Sequence, residues 1–552
     1  MGRLRVFFAG AAALFLFACG ENETSKSPAQ SAVAAPSPLE EPFKLEGAEA
    51  VDVEALLALM PAASRPTYDA ASFDEDLGAT VITNLTFSDA DDGEAIVVAR
   101  AELYGVDVEA IERVRAADGG DPDAPFETLF QKIRLLNISA EGFDDAGKEQ
   151  SLKLVIEGLE IDDMAMRQGG PGNDESGDPA ARFLNATRIG GIYFKGLDWG
   201  ARTGDQHDLK LAVADGRLVG LAGGAFDALI AKDIAYDFEQ GDRAREAIRE
   251  IAGPGGAAIL DGPFADVVAP ERQKANIESF EWRGFDMTKL VKYEARGEEP
   301  PTDARDLVDF GTAKITGLTT FVNDRELGRL GELSISEMKF TGLVLSDFRM
   351  TFTDSIVDYS AYFPPAEEDA VAALSSLGLN SVKGEGFIDW RWDPETGDGR
   401  LQYEGLNEGL GDVLIDVDVS GVDLDGLAAA SGADADDLFA RSLKLRSLSV
   451  DIADENALEA IFALAALEMG GAGEDLRQST PALIRLSSAQ FAFSNPRIVD
   501  YVDALASFVA EGGSLKIEAK PEDPVGAAFF ENDDVDPTTL PEILNLNVTH
   551  TE

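Results

Sequence analysis

One cysteine, Cys19, and two histidines, His207 and His550, stand in a sequence of 552 residues. A single cysteine cannot close a disulfide within the chain, so stability has to come from packing. So few thiols and imidazoles exclude a zinc site built from them. They also leave a Ser-His-Asp triad with little choice of base, and His207 sits in the polar stretch Thr203 to Asp208, which reads as a turn. No G-x-S-x-G and no G-x-x-x-x-G-K occurs. Ser336 to Lys339 fits S-x-x-K, but inside an alternating, strand-like pattern and without a K-T-G. After residue 18 no apolar run reaches the length of a membrane span. Positive charge is scarce too: 46 Lys and Arg face 102 Asp and Glu, a formal charge of −56. A field of that sign repels nucleic acid and anionic headgroups. These absences point away from an enzyme, a cofactor or a nucleic-acid partner.

What is present begins at Arg3 and Arg5, followed by the apolar run Val6 to Ala18. A cationic start and a short apolar stretch read as a secretory signal over residues 1–18. Leu16-Phe17-Ala18-Cys19 resembles the lipobox of bacterial lipoproteins. The resemblance implies cleavage before Cys19, lipid on its sulfur and retention on a membrane. Gly20 stands where an inner-membrane retention aspartate would sit, so the periplasmic face of the outer membrane is the expected address. Residues 19–43 are rich in Ser, Ala, Pro and Glu. That composition predicts a disordered tether.

The acid is spread along a chain that is 45% hydrophobic, which is globular composition. Ser151–Ile156, Val413–Val419 and Leu443–Ile452 alternate as half-buried strands do. In the second, Val413, Ile415, Val417 and Val419 face one way, and Asp412, Asp416 and Asp418 the other. Helical patterns are shorter: Glu109–Ala116, Arg243–Ile251, Glu367–Leu377, Glu455–Met469 and Arg497–Ala510. Asp454 is the expected N-cap of the fourth and Gly470 its stop, with Leu458, Ile461, Phe462 and Ala465 on the buried face. Asp393 to Gly399 predicts a hairpin turn. The reading is α+β, dominated by β, in two stretches of similar build, 44–300 and 301–552. Boundaries are expected at Gly169–Pro179, at Arg296–Asp306 and near Gly470–Gln478.

One pattern recurs: apolar, any, Gly, apolar, any, apolar. Phe194/Gly196/Leu197/Trp199 shows it, and it returns around Gly105, Gly158, Gly284, Gly342 and Gly421, more loosely around Gly142, Gly317, Gly386 and Gly405. The apolar phase slips by one at each glycine. A regular strand would then aim its second half at the opposite face, and a local kink restores the inward face. Degenerate copies of such a unit predict a long, bent antiparallel sheet with short helices between strands. This texture, together with the helix-then-strand run Tyr501 to Pro521, resembles envelope proteins of the AsmA-like and DUF945-like type. The resemblance implies a curved sheet with an apolar inner surface and a part in lipid handling.

Other readings stay beside it. The acidic surface suits a scaffold that meets a basic protein partner. Trp390 and Trp392 on one strand face, with Asp389, Arg391 and Asp393 opposite, leave room for glycan binding or carboxylate-based glycan hydrolysis. Asp89, Asp91 and Asp92, or Asp533, Asp534 and Asp536, could hold calcium weakly, although the first group reads as a hairpin turn and the second as a loop.

Overall fold

The computed structural model describes residues 38–552 apart from 62–64, 89–94, 117–122, 142–149, 172–176, 204–205, 240–271, 302, 343, 363–367, 422–441, 470–471, 493–494, 527–528 and 530–536. Its framework is one sheet of nineteen strands. They are β1 (Ala70–Asp74), β2 (Ala79–Ser88), β3 (Ala95–Tyr104), β4 (Phe126–Glu141), β5 (Gln150–Arg167), β6 (Thr187–Thr203), β7 (Gln206–Ala222), β8 (Ala225–Glu239), β9 (Arg272–Asp286), β10 (Thr312–Val322), β11 (Arg325–Thr341), β12 (Val344–Asp358), β13 (Ser381–Asp393), β14 (Asp398–Asn407), β15 (Gly411–Ser420), β16 (Lys444–Asp454), β17 (Gly513–Ala519), β18 (Val525–Gly526) and β19 (Leu546–Thr551). From β1 to β17 each strand pairs antiparallel with the next. The short β18 adds beside β16, and β19 beside β17. The expected β-dominated antiparallel sheet is therefore present. Its two expected stretches are joined without a break, because β9 and β10 pair across residue 300, Arg283 opposite Thr312.

The helices of the described residues are α1 (Val53–Ala58), α2 (Val108–Ala116), α3 (Pro179–Ala186), α4 (Thr288–Arg296), α5 (Glu368–Ser376), α6 (Ala457–Met469), α7 (Gly473–Ala492), α8 (Arg497–Glu511) and α9 (Leu540–Ile543). Local chemistry starts and stops several of them. Asp52 and Asp178 accept N–H groups from the first turns of α1 and α3, and Gly297 ends α4 in the left-handed conformation. α6 begins at Ala457, two residues later than expected, so Asp454 ends β16 instead of standing at the N-cap, but its carboxylate still accepts Leu458 N–H at 2.9 Å. The buried face of α6 is not the one expected, however: Ala460 and Ala466 are buried and Ile461 is 58% exposed. The composition of α6 is apolar on every side, so its own periodicity could not choose the face; α5 and α7 do. α6 ends just before the stretch Gly470–Gln478, where a boundary is expected, and α7 starts inside it at Gly473. Arg243–Ile251 and Gly470 lie outside the described residues.

The phase slips take a definite form. Six even-numbered strands each hold one left-handed residue: Asn84, Asn137, Gly196, Asp233, Gly317 and Asp354, with φ between +48° and +62°. The register sets each opposite an unpaired residue of the neighbouring strands, as Ala99, Glu157, Ala214 and Glu278. The positions form a line across the sheet from β2 to β12. A second line runs parallel, six residues along: Asp163, Gly220 and Gly284 are left-handed in β5, β7 and β9, opposite Gly190 and Asp227. Apolar side chains from both sides of the first line, Ile82 with Leu85 and Leu135 with Ile138, meet in one core cluster. The sheet is thus creased with its apolar side inward. Gly158 and Gly196 lie at the first line and Gly284 on the second, whereas Gly105, Gly342 and Gly421 lie just past strand ends.

Candidate functional site

Opposed residues in an antiparallel pair point to the same face. Followed from strand to strand, the register links Leu103, Ile133, Ile161, Ile192, Leu218, Leu229, Trp282, Ala313, Ile335, Met350, Ile388, Tyr403, Ile415, Val450, Ile517 and Val548. Every member is apolar or aromatic. The neighbouring row on that face runs from Ile82 through Ala101, Leu135, Leu159, Phe194, Gly216, Ala231, Phe280, Ile315, Leu333 and Phe352, then through Gly386, Gly405, Val413 and Ile452 to Leu515. Gly216 belongs there for a steric reason. The Phe194 ring lies over it, and a Cβ would stand 2.0 Å from the ring. Val413, Ile415, Val417 and Val419 share this face and the aspartates between them the other, as their alternation predicted.

Helices close the two ends of the apolar face. α1 packs on Ile82, Val98 and Ile138, and α2 on Leu129 and Phe130. At the far end α8 packs over β17 and β19, where the Phe508 ring meets His550. Between β6 and β16 most of both rows is only half-buried, including Ile192, Phe194, Leu218, Leu229, Phe280, Trp282, Ile335, Phe352, Ile388 and Ile415. Eleven strands at the usual spacing make this half-buried apolar face about 50 Å long. On its rim, the rings of Phe226, Phe285 and Phe310 gather on Trp282 with centroids 4.6–5.2 Å from it, and Trp282 Nε1 donates to Phe310 O at 2.6 Å.

The opposite face carries charge, and part of it is the better buried side. The row Glu102, Arg134, Glu160, Tyr193, Arg217 crosses β3 to β7. Glu160 has no exposed surface; Lys132 and Arg134 Nε, the latter at 2.8 Å, donate to its two oxygens. Lys132 also pairs with Asp162 at 2.8 Å. Burial, against the pull of Lys132, holds the Asp162 carboxyl above the usual carboxylate range. Burial and then the Glu102 hydrogen bond push the Tyr104 phenol well up. The segment Leu39–Phe43 shields this cluster: Phe43 lies edge-on to Tyr104 and under the Lys132 ammonium, and Glu40 accepts from Lys195 at 2.6 Å. Those residues close the expected tether, and here they are seated on the sheet.

The remaining candidates fall into structural roles. Trp390 and Trp392 do share the apolar face, where Trp390 Nε1 donates to Leu345 O and Trp392 is buried. Behind them Asp389 pairs with Arg349 at 3.2 Å and with Arg391 at 3.0 Å. Although burial works against its charge, hydrogen bonds from Arg391 to Asp389, Glu337 and Asp347 hold its guanidinium above its ordinary range. Ser336 to Lys339 lies in β11, and Asp416 and Asp418 lie in β15. His207 stands at the start of β7 rather than in a turn. Among the described residues no three His, Cys, Asp or Glu side chains converge as metal ligands, and no helix is long and apolar enough to cross a membrane. Cys19, Asp89, Asp91, Asp92, Asp533, Asp534 and Asp536 lie outside the described residues.

A family model described only as an uncharacterized protein matches residues 407–551, the span from the end of β14 to β19. No curated protein matches the chain.

Proposed function

We propose that this chain is an envelope lipoprotein, anchored by lipid on Cys19, whose open apolar face binds or conducts lipid acyl chains. The observation that carries the reading is the pair of unbroken apolar rows left half-exposed between the covered ends. Apolar surface kept in water costs roughly 25 cal/mol per Å², and contiguous patches of this extent mark ligand or membrane contact. An acyl chain lying across the strands would remove that cost and gain about 0.8 kcal/mol per buried methylene. The scaffold reading has less behind it, because it rests on net charge alone and some acids of the charged face are already paired within the chain, as Asp416 is with Arg400 at 2.9 Å. The test is binding of a fluorescent fatty acid to the full chain. Leu229→Glu and Ile335→Glu should each weaken it about tenfold or more, while Lys314→Glu on the charged face leaves it unchanged. Equal binding by all three would overturn the proposal. Loss of metabolic lipid label, and release from membranes, in Cys19→Ala tests the anchor.

A further inference from the structure

The C-terminal end of the apolar face adjoins a cleft of about 850 Å³, within the usual range of small-molecule sites. It lies between the first turn of α8, the segment after β17 and α9. Its charged lining is mixed: Arg497 and Lys520 on one side of the tally, Glu522, Asp523 and Glu542 on the other, all exposed. Position matters as much as charge. An outer apolar row of the sheet, buried at Trp392 and Gly399 and half-buried at Val419 and Leu445, ends on Val525, and Val525 lines the cleft. The path along the apolar face therefore opens on cations and carboxylates together. One acid has a fixed place: Asn495, itself buried, donates to Glu542 at 2.6 Å and accepts Arg497 N–H at 3.0 Å, holding α8 and α9 in register.

We infer that this cleft receives the headgroup of an amine-bearing phosphate ester, a zwitterionic phospholipid whose acyl chain lies on the row ending at Val525. Arg497 and Lys520 would face the phosphate. Glu522, Asp523 and Glu542 would face the ammonium. A purely anionic headgroup meets three carboxylates there and a chain of charge −56 around them. A fatty acid carries no group for the acids to hold. The inference rests on the acyl-binding reading and names its lipid class.

The test is to equilibrate the full chain with mixed vesicles of phosphatidylethanolamine and phosphatidylglycerol and to quantify bound lipid by mass spectrometry. The parent should enrich the ethanolamine lipid about tenfold over its share in the vesicles, as one or two charge-assisted hydrogen bonds allow. Arg497→Ala with Lys520→Ala should erase that preference while total bound lipid persists. Glu522→Gln with Asp523→Asn should turn it toward phosphatidylglycerol. Soluble glycerophosphoethanolamine should not compete, because the acyl row supplies much of the affinity; full competition would assign the cleft to a free metabolite and overturn the lipid assignment. Lipid bound by the parent without headgroup preference, and unchanged in both double variants, would overturn the inference and leave acyl binding standing. No bound lipid in any protein would remove both.

Discussion

Glu160 shows what a single residue does in this sheet. Its carboxylate is fully buried and takes hydrogen bonds from Lys132 and Arg134. Removing one member of a buried ionic cluster costs more than the cluster contributes, since the partners stay buried without their counter-charge. Glu160→Gln should therefore destabilise the chain by about 3–5 kcal/mol, read as a shift in the urea midpoint at unchanged slope. An effect within about 0.5 kcal/mol, the range of ordinary surface substitutions, would show that the cluster is open to water. The sequence gives no hint of this burial. Lys132, Arg134, Glu160 and Asp162 alternate with apolar residues, as a solvated face does, and the cover comes from residues 39–43, far away in the chain. Composition alone made that segment look like free tether.

At the scale of elements, the strands were legible and the creases half so. Strict alternation located β15 and β16, and turn chemistry located the hairpin at Asp393–Gly399, where Gly397 takes φ +72°. Glycine marked the phase slip at Gly196 and Gly317. It missed Asn84, Asn137, Asp233 and Asp354, which do the same work, because Asn and Asp also tolerate the left-handed region. The available signal was an Asn or Asp at the slip between two apolar phases. This equivalence is testable. Either variant adds a Cβ that displaces the Glu157 side chain, so the backbone separates them: Gly196→Asn should melt within a few degrees of the parent, whereas Gly196→Val should lose about 2 kcal/mol more from strain at the left-handed φ. Equal losses in the two variants would contradict a crease set by backbone conformation. The helices were harder to place. α6 lacks a polar side to orient it, and α7 begins where glycines and acids suggested a break.

For the whole molecule, each strand's apolar side could be read from its own residues, but the alignment of those sides could not. Pairing register, set by the turns and by the two crease lines, joins Leu103 in β3 to Val548 in β19. Which part of that face is open depends on where α1, α2 and α8 come to rest, and that is decided between elements remote in sequence. The central claim is that the open stretch from β6 to β16 holds acyl chains. Native mass spectrometry of the full chain, released gently from its membranes and paired with lipid extraction, tests it most directly. Adducts with phospholipid or fatty-acid masses, at one or more per chain and lost in Leu229→Glu, are the predicted result. A bare protein mass that stays bare after incubation with lipid would contradict the claim.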